Sequence, residues 1–183
     1  MARRRLPEFL RPAESDALLS AATRRRDRLI LLIGLGAGLR VSEITKLRIE
    51  HVDTVASTIF VSQGKGKKDR ALWLNPDTIE LLREWRERRE HQSELYFTTR
   101  DGGPINSRYL RAMMERYSER AGLNRHCSPH TLRHTFATDL LKETGNVETV
   151  RKALGHSSIS VTGIYLHVVD SELEAAMKNF RSK

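Results

Sequence analysis

The chain has 183 residues, with 32 Lys and Arg against 23 Asp and Glu, a net charge of +9. That length fits one domain with a sizeable core, and the surplus of cations favours a polyanionic partner. The single cysteine, Cys127, excludes an internal disulfide and points to a reducing compartment. The longest apolar run, Leu29 to Leu39, is too short to span a bilayer, and MARRRLPEFL lacks the apolar stretch of a secretion signal. A soluble cytoplasmic protein is expected.

In chain order, Pro12 suits the first turn of a helix through AESDALLSAA, and Leu29 to Leu35 reads as a buried helix ending at Gly34, Gly36 and Gly38. VSEITKL is a short helix with Val41, Ile44 and Leu47 on one face. The period then changes: STIFVS and ALWL are short strands joined by QGKGKKDR, a hairpin with a glycine-rich, basic tip. Asn75 and Pro76 look like the cap and first turn of a helix through DTIELLREWRERRE, with Ile79, Leu82 and Trp85 inward and a charged outer face. ELYF reads as a third strand and DGGP as a turn. Further helices are expected from Ser107 to Arg120, Ser128 to Glu143 and Asn146 to Leu154. The fold class that results is mainly α with a small antiparallel β-sheet, and DSELEAAMKNF adds an amphipathic segment at about 170–180.

The stretch SPHTLRHTFATDLL holds the densest chemistry. Ser128 fits an N-cap, Pro129 the first helical position, and Leu132, Phe136 and Leu140 a core stripe. His130 then lies in the first turn, where free N–H groups and the helix dipole favour an anion, and Arg133, three residues on, shares its face. A guanidinium fork suits phosphate oxygens. His130 and His134 at i and i+4 resemble a zinc protease helix, but Thr131 stands where that motif has its glutamate, so no metal or other cofactor is expected. A structural histidine pair is the bland alternative, favoured for His134 and even with the anion reading for His130. Arg40 alone reads equally as a solvated or ion-paired residue, His156 as the neighbour of a helix C-cap, and Tyr165 as a half-buried aromatic. GLGAGL follows a helix and lacks the G-x-G-x-x-G spacing of a dinucleotide loop. His51, His91, His126 and His167 suit surface or capping roles.

Together, GLRVSE, GKGKKDR, HTLRHTFAT and LGH with a tyrosine nine residues on resemble the catalytic domain of the tyrosine recombinase family, the Xer-type and phage-integrase group, from about Leu6 to Val168. That resemblance implies the tyrosine recombinase catalytic-domain fold over residues 1–183 as a single domain, with the family's N-terminal core-binding domain absent. It implies site-specific strand exchange in double-stranded DNA through a 3′-phosphotyrosine, independent of metal and ATP. Tyr165 would be the nucleophile; Arg40, Arg133 and His156 would hold the phosphate oxygens, His130 would move a proton, and Lys65 would be the general acid. Lys67, Lys68, Arg70, Arg108 and Arg111 are the expected DNA contacts, with the helix carrying Arg108, Arg111 and Arg116 offered to the groove. The family further implies a homotetramer on paired sites, a monomer in isolation, a nucleoid-associated location and a C-terminal helix docked in cis or in trans. A catalytically silent DNA-binding module, a topoisomerase-like cleavage and religation activity, and a metal-dependent nuclease are the competing readings.

Overall fold

The structure is a computed structural model and describes residues 8–62, 69–89, 91–158 and 162–166. Lys65, Lys67, Lys68, His167 and the expected helix at about 170–180 lie outside the described residues. The described elements are α1 (Pro12–Ala21), α2 (Arg25–Ala37), α3 (Val41–Thr45), β1 (Val52–Asp53), β2 (Thr58–Val61), β3 (Arg70–Trp73), α4 (Pro76–Arg88), α5 (Ser107–Arg120), α6 (Pro129–Thr144) and α7 (Val147–Leu154). Short 3-10 turns occupy Ile49–His51 and Gly163–Tyr165. The strands form one antiparallel sheet in the order β1, β2, β3, with Ile59 opposite Leu72 and Val61 opposite Arg70. Among the described residues no helix is long and apolar enough to cross a membrane.

Local chemistry sets most of these boundaries. The Asn75 side chain accepts from the Thr78 N–H at 2.8 Å, and Asn106 from Tyr109 at 2.9 Å, so α4 and α5 begin with satisfied donors. On β2, Ile59 and Val61 are buried while Phe60 between them is exposed, the period-two signature of a half-covered sheet. The expected strand at ELYF reduces to an isolated bridge between Arg48 and Leu95, and the third strand is the two-residue β1 instead. Two residues carry no legible alternation, so β1 had no sequence signal.

The glycine run divides differently from expectation. Helix α2 continues through Gly34 and Gly36 and stops at Gly38, which takes the left-handed conformation at φ 60°, ψ 32°. A Cβ on Gly34 would fall 2.8 Å from Leu132 Cδ1, so Gly34 lets α6 approach α2 closely. The stripe on α6 is also displaced by a residue: Leu132, Ala137 and Leu141 are buried, whereas Phe136 and Leu140 pack only partly.

The main core joins α1 to α5 and the sheet; a second, smaller cluster gathers Ala137, Leu141, Val150, Leu154 and Tyr165 under α6 and α7. Asp27 is fully buried on α2 but not unpaired. It accepts from Tyr109 at 2.6 Å, Tyr117 at 2.9 Å and Arg116 at 3.1 Å, pinning α5 against α2. Arg116 is therefore committed to the fold, while Arg108 and Arg111 are exposed on α5.

Candidate active site

Three arginines converge on the C-terminal end of α7. The last carbonyls of a helix lack internal partners and carry the negative end of its dipole, so they attract cations. Arg133 donates to Leu154 O at 2.7 Å and to Gly38 O, at the end of α2, at 2.6 Å. Arg70 donates from Nε to Ala153 O at 2.7 Å, and Arg40 reaches Gly155 O at 3.4 Å. These carbonyls fix the forks, and Glu43 holds the cations together. Its Oε1 accepts from Arg40 Nη1 at 2.9 Å and Arg70 Nη1 at 3.0 Å, while Oε2 accepts from the Arg40 N–H at 2.7 Å and Arg70 Nη2 at 2.9 Å. Burial alone would raise the Glu43 pKa, but the bonds from Arg70 and Arg40 outweigh it and hold the carboxyl below its ordinary range.

The resulting cluster is cationic and partly dry. Burial, and then the neighbouring Arg40 charge, bring the pKa of Arg133 down to about 10, which leaves it protonated at neutral pH. His156 follows Gly155, the left-handed cap of α7, and lies 3.2 Å from Arg133 Nη2 through Nε2 and 3.1 Å from Thr162 Oγ1 through Nδ1. Burial and the Arg133 and Arg40 guanidiniums push its pKa down to about 4, so it is neutral. A neutral Nε2 that accepts from Arg133 requires Nδ1 to donate to Thr162.

Arg40, His130, Arg133 and His156 line one open cleft of about 650 Å³, together with Lys46 and the N-cap of α5, Asn106. The cleft therefore gathers four of the sequence-selected residues. His130 is exposed in the first turn of α6, at the rim. Tyr165 is not at the cleft wall. It is only 1% exposed, packs in the second core cluster, and donates its hydroxyl hydrogen to His134 Nδ1 at 2.7 Å. Burial pushes its pKa up to about 12 against the pull of Arg133. Burial, then His130 and Arg133, lower that of His134, which favours the neutral ring; an accepting Nδ1 places the ring proton on Nε2.

Of the expected DNA contacts that the structure describes, Arg108 and Arg111 are exposed and Arg70 is turned into the fold. It sits at the base of the hairpin, on β3, with its guanidinium taken up by Glu43 and Ala153 O. Sequence reasoning missed Glu43, although the spacing Arg40-x-x-Glu43 is that of a helix-start pair. It also missed the Thr162 contact, which no sequence signal marks.

The fold is mainly helical with a three-stranded antiparallel sheet, and its cleft is lined by basic side chains. A family model described as the phage integrase family matches residues 8–172. A tyrosine recombinase of Pseudothermotoga lettingae is 39% identical over 181 residues, covering 93% of this chain and 59% of the relative. The crystal structure of XerA recombinase superposes with a TM-score of 0.86 at 29% identity, over 98% of this chain and 67% of that one. The XerH recombinase in a post-cleavage complex with palindromic difH substrate gives 0.81 at 34% identity, over 94% of this chain and 53% of that one. The catalytic domain of bacteriophage HP1 integrase gives 0.68 at 28% identity, covering 96% of this chain and 95% of that domain. The chain belongs to the phage integrase family. It spans under two thirds of the length of the curated tyrosine recombinases it matches.

Proposed function

We propose that these residues are the catalytic domain of a site-specific DNA recombinase that cleaves and rejoins double-stranded DNA through a 3′-phosphotyrosine. The observation that carries this reading is the meeting of Arg40, His130, Arg133 and His156 at one cleft, with the Tyr165 hydroxyl held by the same helix that bears His130 and Arg133. A phosphodiester brings one negative charge, and more gathers on its non-bridging oxygens as phosphorus becomes pentacoordinate. Guanidiniums fixed beforehand by α7 carbonyls need no reorganisation to receive that charge.

In the step itself the Tyr165 oxygen bonds to phosphorus, the bond from phosphorus to O5′ breaks, and a 3′-phosphotyrosine and a free 5′ hydroxyl result. The tyrosine proton passes to a base at the cleft, with His130 in reach of its rim, and Lys65 supplies the proton that O5′ needs. His156 changes tautomer: with Thr162 donating to Nδ1, its Nε2–H turns to a phosphate oxygen. Tyr165 must first leave His134, because a buried side chain whose hydroxyl is bonded to His134 cannot attack. The ester bond is conserved in the intermediate, so religation by the 5′ hydroxyl runs without ATP. A homotetramer on paired sites is the assembly in which such exchange goes to completion, in the cytoplasm at the nucleoid.

The test is a nicked suicide substrate whose cleaved end diffuses away. The wild-type chain should be trapped as a covalent adduct on a denaturing gel, and Tyr165→Phe should lower trapping by at least about 10³-fold at nearly unchanged DNA affinity. An undiminished adduct in Tyr165→Phe would exclude Tyr165 as nucleophile. No adduct from the wild-type chain would favour a silent DNA-binding module.

A further inference from the structure

A second cationic cleft, of about 740 Å³, shares no lining residue with the first. Its wall is drawn from Arg24, Arg25 and Arg26 at the start of α2, Trp85, Arg88 and Arg89 at the end of α4, His91, the Thr98 to Arg100 turn, and Tyr109 on α5. Nothing in the proposed chemistry uses it. The turn that follows Phe97 divides the two clefts, because Thr98 bridges Pro104, and Pro104 to Ser107 line the first. Helix α2 runs from Arg25 in the second cleft to Gly38 beside Arg133 in the first. At 1.5 Å per residue that is about 20 Å, or about six base pairs of duplex at 3.4 Å each.

The second cleft is built to a shape. Arg26 donates to Thr98 O and the Tyr109 hydroxyl, ion-pairs with Asp27 at 3.1 Å, and stacks over the Tyr109 ring at 4.6 Å. Arg89 donates to Leu95 O at 3.0 Å, and Trp85 to Tyr96 O at 3.1 Å. The remaining cations exceed their acceptors among the described residues. Glu84 serves both Arg25, at 3.4 Å, and Arg88, at 3.8 Å. Arg24 and Arg100 are exposed and make no side-chain bond or ion pair to a described residue. No carboxylate is among the described lining residues. Like charges gathered in a concave wall repel one another unless an anion is shared between them, and planar forks with hydroxyls beside them suit phosphate oxygens.

We infer that this second cleft binds the phosphate backbone of the duplex flanking the cleavage site, about half a turn from the scissile phosphate. The inference rests on the DNA reading of the first cleft. Arg24, Arg88 and Arg100 make the phosphate contacts, and Arg26 and Arg89, already bonded to the fold, shape the wall. These contacts carry register and affinity and no base information.

Binding is measured for an about 10-base-pair duplex centred on the scissile phosphate, which ends short of the second cleft, and for an about 30-base-pair duplex, each over a salt series. Arg24→Ala/Arg100→Ala should weaken the long duplex about tenfold at low salt and reduce the slope of log K against log salt by about 1.8, which is 0.9 for each phosphate released. The short duplex should be unaffected, as should adduct formation at saturating protein. Arg88→Ala is a second, single variant that should shift the same slope by about half as much. Equal loss on both duplexes, or loss on neither, would overturn the inference. Inorganic tripolyphosphate is the control for a free polyphosphate as source of the same chemistry. If it binds wild type and not the double variant while the long duplex is indifferent to the substitutions, the site belongs to a small anion and the DNA assignment is wrong. Failure to trap an adduct would overturn the proposed catalysis and leave the length dependence standing, so the two can fail separately.

Discussion

At Tyr165 and His156 the fold holds two ionisable groups in their neutral forms at neutral pH. His156, at a pKa of about 4, faces Arg133, Arg40, Arg70 and His134, with Thr162 as its neutral partner. Between that value and about 6.5 in the unfolded chain, the unfolded state binds more protons, so acid favours unfolding. His134, also lowered, acts in the same sense. The carboxylate of Glu43 adds to the loss only at lower pH, since its unfolded value is 4.5. The melting temperature should therefore fall as pH is lowered from 7 to about 5, and His156→Gln should flatten that fall. Identical pH slopes in the two proteins, followed by calorimetry, would mean that the fold does not perturb the His156 pKa. Of this site, His130 and Arg133 were legible as a candidate anion pair at a helix start, whereas Arg40, His156 and Tyr165 were marked only by the family resemblance. The pairing of Tyr165 with His134 was not legible: the two are 31 residues apart, and only the packing of α6 on the second cluster brings them together.

Among the elements, α7 does more than its eight residues suggest. Its last carbonyls orient Arg133, Arg70 and Arg40, and Glu43 on α3 locks two of them. Removing the carboxylate would leave Arg40 and Arg70 facing Arg133 without compensation, and the pair is dry, with Arg70 and Glu43 side chains 7% and 10% exposed. Glu43→Gln should cost about 2–4 kcal/mol, a loss of roughly 5–15 °C in Tm for a domain of this size. Arg70→Met should cost about as much, whereas the double variant should cost much less than the sum, because it removes both buried charges. A cycle in which the two losses simply add would show that Glu43 and Arg70 do not act on each other. The helices were readable from their caps and periods, Asn75, Pro76 and Asn106 above all. Their ends were less so where tertiary contact decides. Gly34 stays within α2, where its missing Cβ leaves room for Leu132, and ELYF pairs only through the two bonds of one bridge, Ile49 N–H to the Glu94 carbonyl and Tyr96 N–H to the Leu47 carbonyl.

At the scale of the whole molecule, with a net charge of +9, Arg40 and Arg133 line a cleft among the described residues while Glu43 and Asp27 clamp buried or half-buried guanidiniums. The composition told of a polyanionic partner but not of this division, since Arg133 and Arg108 are alike in sequence and opposite in burial. The division bears on how divalent ions act. In the proposed mechanism guanidiniums and imidazoles supply the electrophilic assistance at phosphorus, so a divalent cation would have no step to assist, yet it would compete with the protein for DNA phosphates. Adding about 5 mM magnesium should therefore weaken duplex binding several-fold while leaving adduct yield at saturating protein unchanged, and excess EDTA should preserve both binding and trapping. A metal-dependent nuclease would show the opposite sign, with trapping or cleavage lost in EDTA and restored by magnesium. Affinity and chemistry should thus respond separately to the same ion, which a titration read in parallel by anisotropy and by denaturing gel would resolve.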